Sequence, residues 1–147
     1  QYGWHMVEAM GDYDRSDWQP ASSARRFECG SPNMLGIHAL HASMDLLLQV
    51  GIQSIFDSVS DKVQHLIDNI INYGGVILSS KEPERRAGII TFRFDGEDIK
   101  ARYRHLQENG VICALRGGGI RFSPHFYTPE AVLQRALALS CEPLADK

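Results

Sequence analysis

Apolar residues recur at three- and four-residue steps through the middle of the chain, then condense into short runs in its second half. From Met34 to Val50 they fall at Leu35, Ile37, Ala39, Leu40, Met44, Leu47, Leu48 and Val50. That spacing predicts a helix, and its scant polar relief predicts burial on more than one side. The preceding Cys29-Gly30-Ser31-Pro32-Asn33 is a turn signal, with Ser31 placed to cap the helix that Pro32 opens. After Gly51, the positions Ile52, Ile55, Phe56, Val59, Val63, Leu66, Ile67, Ile70 and Ile71 describe a long amphipathic helix closed by Gly74-Gly75. The period then changes. Val76-Ile77-Leu78 and Gly88 to Phe94 read as strands on either side of the charged loop Lys81 to Arg86. Asp98 to Asn109 is helical with Gly110 as its stop. Val111 to Leu115 and Ile120 to Phe122 are short strands around Gly117-Gly118-Gly119. Thr128, as N-cap before Pro129, opens a last helix to about Ser140.

This order of elements predicts an α+β fold. Three to four strands form a small mixed or antiparallel sheet with helices on one face, preceded by a long connecting helix and an irregular N-terminal arm. The arm, Gln1 to Arg26, carries Trp4, Tyr13 and Trp18 without helical or alternating period. It reads as a segment that packs against something outside itself.

Composition narrows the class. The 147 residues are 44% hydrophobic and 22% charged, ordinary for a globular domain, and the longest apolar runs are too short to span a bilayer. A net charge of −3 recommends neither nucleic acid nor an anionic membrane as partner. Cys29, Cys113 and Cys141 form no CxxC pair. A reducing cytoplasm is therefore the expectation, with neither a disulfide framework nor a zinc site. Gln1 stands where an initiator Met would, with no signal-peptide pattern behind it, so the chain reads as a piece of a longer protein.

Arg116-Gly117-Gly118-Gly119-Ile120-Arg121 is the chemically densest segment. Two guanidinium groups flank a loop whose glycines allow close backbone approach, which suits a carboxylate or phosphate; the bland reading is a flexible hairpin with two solvated arginines. Arg121 is the odder of the two. Between Ile120 and Phe122 it must either point outward or meet an acid. His38 and His41 stand three apart on a helix but lack a third ligand, which favours a packed or hydrogen-bonded pair over a metal site. Ser123-Pro124-His125 invites a nucleophile reading that no acid supports. Cys113, among apolar residues, is expected to be a small buried hydrophobe. Arg85-Arg86, beside Glu82 and Glu84, reads as a solvated loop.

Taken together these segments resemble a family. Arg25-Arg26-Phe27-Glu28-Cys29-Gly30-Ser31-Pro32-Asn33, followed by an apolar helix, is similar to the "RRFE-x-GTPN" segment of class V aminotransferase-like enzymes. These are fold-type I pyridoxal-phosphate (PLP) proteins, a superfamily that includes cysteine desulfurases, kynureninases and isopenicillin epimerase-like enzymes. Arg86-Ala87-Gly88-Ile89-Ile90-Thr91-Phe92 resembles the family's "R-x-GIVSF" strand. Gly110-Val111-Ile112, Arg116-Gly117 and Ile120-Arg121-Phe122-Ser123-Pro124-His125-Phe126-Tyr127-Thr128 resemble its ending.

The resemblance implies the end of a large PLP domain over residues 1–33, and a connecting helix with the C-terminal small domain over 34–147. It implies PLP as cofactor of the parent enzyme, an amino-acid substrate and a homodimer. Arg121 would grip the substrate α-carboxylate, with Arg116 beside it, and Ser31 would reach the cofactor phosphate of the partner subunit. Four departures qualify this. The reactive-cysteine loop of cysteine desulfurases has no counterpart, since only three glycines and Ile120 separate the arginines. Thr128 replaces the usual Asn, and Ser31 the usual Thr. Lys62, Lys81, Lys100 and Lys147 match no Schiff-base lysine motif, so the segment alone is expected to hold no PLP covalently and to have no catalysis of its own. The rival reading is a stand-alone α+β module that binds an amino acid or organic acid through the same arginines. A structural dimerisation piece is a third.

Overall fold

The computed structural model describes residues 3–144, so Gln1, Tyr2 and the segment 145–147, including Lys147, lie outside it. The chain forms two compact units, Gln1–Gln49 and Val50–Lys147. This boundary falls near the end of the first long helix, whereas the family resemblance implies a domain change ahead of it. A break in packing and a change of domain need not coincide.

The first unit is built on backbone pairing. Val7 bridges Pro20, Glu8 N donates to Gln19 O at 2.9 Å, and Ala21 N donates to Met6 O at 2.7 Å. Ala21 is buried at the centre of this loop. The Arg25 guanidinium ties it down, donating to Val7 O at 3.1 Å and Glu8 O at 3.0 Å. The arm is thus irregular in pattern yet internally hydrogen-bonded. A short 3₁₀ turn, Ala24–Phe27, leads into helix α1, Met34–Val50.

Two expectations about α1 are corrected. Its N-terminus is capped by Asn33, whose Oδ1 accepts from Gly36 N at 3.0 Å, and not by Ser31. The cap belongs to the residue just before the first helical one, because only there can a short side chain fold back onto the third N–H. Nor is α1 buried on several sides: none of its residues is buried, and Leu35 is 83% exposed.

The second unit opens with helix α2, Ile52–Asn72, whose Val63, Leu66, Ile67 and Ile70 form a fully buried stripe. Gly74, at φ +82°, ends it; Gly74 N donates to Ile71 O and Gly75 N to Ile70 O, which satisfies the last carbonyls. Strands β1 (Val76–Ile77), β2 (Ile90–Arg93), β3 (Ala114–Arg116) and β4 (Gly119–Phe122) form one antiparallel sheet in the order β1-β2-β4-β3. The α+β architecture is as the pattern predicts, and the sheet is wholly antiparallel. The strands are shorter than the apolar runs. Ile112 lies ahead of β3, fully exposed.

Helix α3, Ile99–Glu108, is capped by Asp98, whose carboxylate accepts from Lys100 N at 2.9 Å. Helix α4, Glu130–Cys141, follows Pro129 at its N-cap position with no side-chain cap. The expected Thr128 cap is therefore absent. Its Oγ1 accepts instead from His125 N at 2.9 Å and braces the preceding turn. α2 and α3 pack on the sheet and on α4, with the core between them. Ile90, Phe92, Ile120 and Phe122 supply the sheet side of that core, and the Phe92 and Phe122 rings meet edge to face at 5.1 Å. No single helix among the described residues is long and apolar enough to cross a membrane.

Candidate functional site

Side chains alternate across a strand, so the residues between the core positions share the opposite, helix-free face of the sheet. Arg121 stands there between Thr91 on β2 and Ala114 on β3. Both neighbours are short. Its Nε is nevertheless buried and has no hydrogen-bond partner, and no acid pairs with it among the described residues. A buried unpaired donor on a charged group is costly and marks a missing partner.

Arg116 lies opposite Gly119, on the same face as Arg121 and diagonal to it across the β3–β4 hairpin. It is exposed. Gly117 and Gly118, at φ +57° and +75°, supply the left-handed pair that a two-residue hairpin requires. This turn is tight, with no room for a reactive loop. A Cβ on Gly119 would lie 2.5 Å from Phe92 O and 2.8 Å from Leu78 Cδ1. Gly119→Ala should therefore cost about 1.5 kcal/mol, as overpacking typically does. An unchanged urea midpoint would show that the strand can shift. Arg93, the third arginine on this face, is already neutralised by Asp95, with Nε to Oδ1 at 2.8 Å.

Ser31, in the other unit, is exposed, and its hydroxyl has no partner among the described residues. It precedes the Asn33-capped N-terminus of a 17-residue helix, where peptide dipoles favour an anion. A hydroxyl donor beside that helix end fits a phosphate.

The other candidates resolve into structural roles. The Ser123-Pro124-His125 segment is a braced turn in which His125 stacks on Tyr127 at 4.2 Å. Lys62 Nζ donates to Phe126 O at 3.0 Å and to Ser58 Oγ at 2.8 Å. His41 pairs with Asp45 on the surface at 3.3 Å. Arg85 meets Glu82 at 3.0 Å in an exposed pair, and Arg86 donates to Gln64 Oε1 at 2.7 Å. Cys113 is half-buried against the core, and burial pushes its thiol pKa up, away from a reactive thiolate.

One residue escapes the pattern altogether. Arg102 on α3 is 2% exposed. It pairs with both Glu97 oxygens, at 3.0 and 2.7 Å, and donates to Leu139 O at 3.2 Å and Glu142 O at 2.6 Å. Its position was a usable signal, since residue 102 lies on the apolar stripe of Ile99 and Leu106, where a charge must find a partner.

The aminotransferase class-V family profile matches residues 1–129. The chain belongs to that family. An uncharacterized aminotransferase, YcbU, of Bacillus subtilis is 30% identical over 121 residues, covering 80% of this chain and 31% of the relative. The chain thus spans about three-tenths of the length of that relative. Among solved structures, the apo cysteine desulfurase of Thermococcus onnurineus superposes with a TM-score of 0.79 at 17% identity, over 93% of this chain and 37% of that one. A C-DES mutant with glycine covalently linked to its PLP cofactor superposes at 0.74 with 19% identity, over 95% of this chain and 37% of that one. These likenesses confirm the fold of the class-V family member.

Proposed function

We propose that this class-V chain serves as the small domain of a PLP-dependent enzyme acting on an amino acid, in the cytoplasm and as a homodimer. The observation that carries the proposal is the buried, unpartnered Nε of Arg121 on the helix-free sheet face. A substrate carboxylate would supply the missing acceptor through the bidentate geometry a guanidinium fork favours. Ser31, at the N-terminal end of α1, would donate its hydroxyl to the cofactor phosphate of the partner subunit. When bound, PLP supplies an electron sink for bonds at the substrate α-carbon. This chain's own residues bind and orient. Arg121 fixes the carboxylate, and the tight glycine hairpin holds the strand that carries it.

The tight hairpin also bears on the reaction type. With no loop between the arginines to carry a cysteine nucleophile, the proposal favours transaminase, lyase or epimerase chemistry over desulfuration. The rival module that only senses an amino acid would share the arginine, but it gives no use to the Ser31 turn.

Cofactor content is the test. The polypeptide containing this chain, purified from its native source, should carry PLP that alkali releases. A polypeptide with none would overturn the proposal. In the same protein Ser31→Ala should weaken PLP retention by about 1.5 kcal/mol, roughly tenfold, as expected for one hydrogen bond to a charged group. An unchanged PLP dissociation constant, measured by equilibrium dialysis, would remove Ser31 from the phosphate site.

A further inference from the structure

The helix-free face of the sheet holds more positive charge than one carboxylate requires. Of its three arginines, Arg93 is matched by Asp95. Arg116 and Arg121 have no acid partner among the described residues, and the cross-strand register places them diagonally on the same face. Two unmatched like charges so placed repel each other, which costs stability unless an anion joins them. The glycine hairpin keeps them together. It is too short to let β3 and β4 slip, and Gly119, opposite Arg116, has no side chain to screen either guanidinium.

From this pairing we infer that the substrate is an amino acid bearing a second anionic group. Arg116 takes that group while Arg121 holds the α-carboxylate. The inference rests on the Arg121 assignment above and adds a substrate class to it. The second group is a carboxylate or a phosphate, since a guanidinium fork accepts both. Between the two arginines stand Ala114 and Gly119, with Leu78 packed over Gly119, so the part of a substrate side chain that bridges the guanidiniums meets a small apolar floor.

The test uses this 147-residue chain, labelled with ¹⁵N, and follows the Nε–Hε resonances of Arg116 and Arg121 at fixed ionic strength. The probes are alanine, glutamate and O-phosphoserine. Alanine should move Arg121 alone. Glutamate or O-phosphoserine should move both resonances and bind roughly tenfold more tightly than alanine, because a second charge-assisted pair forms. The better of the two identifies the second group. Arg116→Gln should abolish that preference and leave alanine binding intact, whereas Arg93→Gln, which removes a charge already matched, should leave the preference unchanged. If all three probes bind equally while still shifting Arg121, the second-anion inference fails and the carboxylate assignment survives. The inference also fails if Arg116→Gln leaves the preference intact. If no probe moves Arg121, both are overturned.

Discussion

Arg102→Ala should destabilise the second unit by about 3 kcal/mol, because it removes a buried guanidinium with its hydrogen bonds to two carbonyls and to the solvent-facing Glu97 carboxylate. The guanidinium is almost wholly buried. Its loss would leave a void in the core and deprive the Leu139 and Glu142 carbonyls of their donor, while the Glu97 carboxylate keeps access to water. Those carbonyls lie at and beyond the end of α4, so Arg102 fastens the C-terminus of that helix to α3. Urea unfolding read by far-ultraviolet circular dichroism would measure the change. Arg121→Leu is the contrast: it removes a donor that has no partner, so the unfolding free energy should change by no more than about 0.5 kcal/mol. A loss under about 1 kcal/mol for Arg102→Ala, or a large one for Arg121→Leu, would reverse the roles assigned to the two arginines.

The second large effect belongs to activity. In an enzyme that carries this domain, Arg121→Lys should lower kcat/KM by about 2 kcal/mol, roughly 30-fold, for substrates with an α-carboxylate. Lysine keeps the charge but loses the planar fork, and its ammonium cannot place two parallel donors on one carboxylate. Decarboxylated amines should react at the same rate with either residue. A loss of equal size for both kinds of substrate would show that Arg121 supports the sheet and does not hold the carboxylate.

These two arginines show how far local pattern reaches. Arg121 stands between two core positions of a strand and Arg102 in the apolar stripe of a helix, and in both places a charge needs an explanation. The strand position was legible because Ile120 and Phe122 flank it directly. The helical one lies on the stripe of Ile99 and Leu106, a weaker signal beside Lys100 and Arg104, which are exposed on the same short helix. What separates their fates is partnership. Glu97 sits five residues upstream and folds back onto Arg102, whereas the strands beside Arg121 offer only Thr91 and Ala114.

The capping errors have the same character. Ser31 and Thr128 have cap-forming side chains at the right ends of the right helices. Yet Asn33 takes the first site and Pro129 the second, because a cap is decided by which residue the backbone leaves just outside the first turn. α1 is the clearest case of a pattern without its complement. Its apolar residues prescribe burial on several sides, and none of the helix is buried. Hydrophobic spacing states what a helix needs to cover, and the covering surface has to come from elsewhere.

The sequence by itself determined the order and type of the elements, the α+β class, the family and the arginines to suspect. Each of these rests on local period, on glycine punctuation or on motif strings, all carried by residues close together in the chain. Tertiary structure alone decided that the sheet is wholly antiparallel in the order β1-β2-β4-β3, that Arg116 and Arg121 share a face with no acid to meet them, and that Arg102 is a buried clasp. Those facts depend on register and on contacts between residues far apart in the chain. A one-residue slip in pairing would have sent Arg121 into the core.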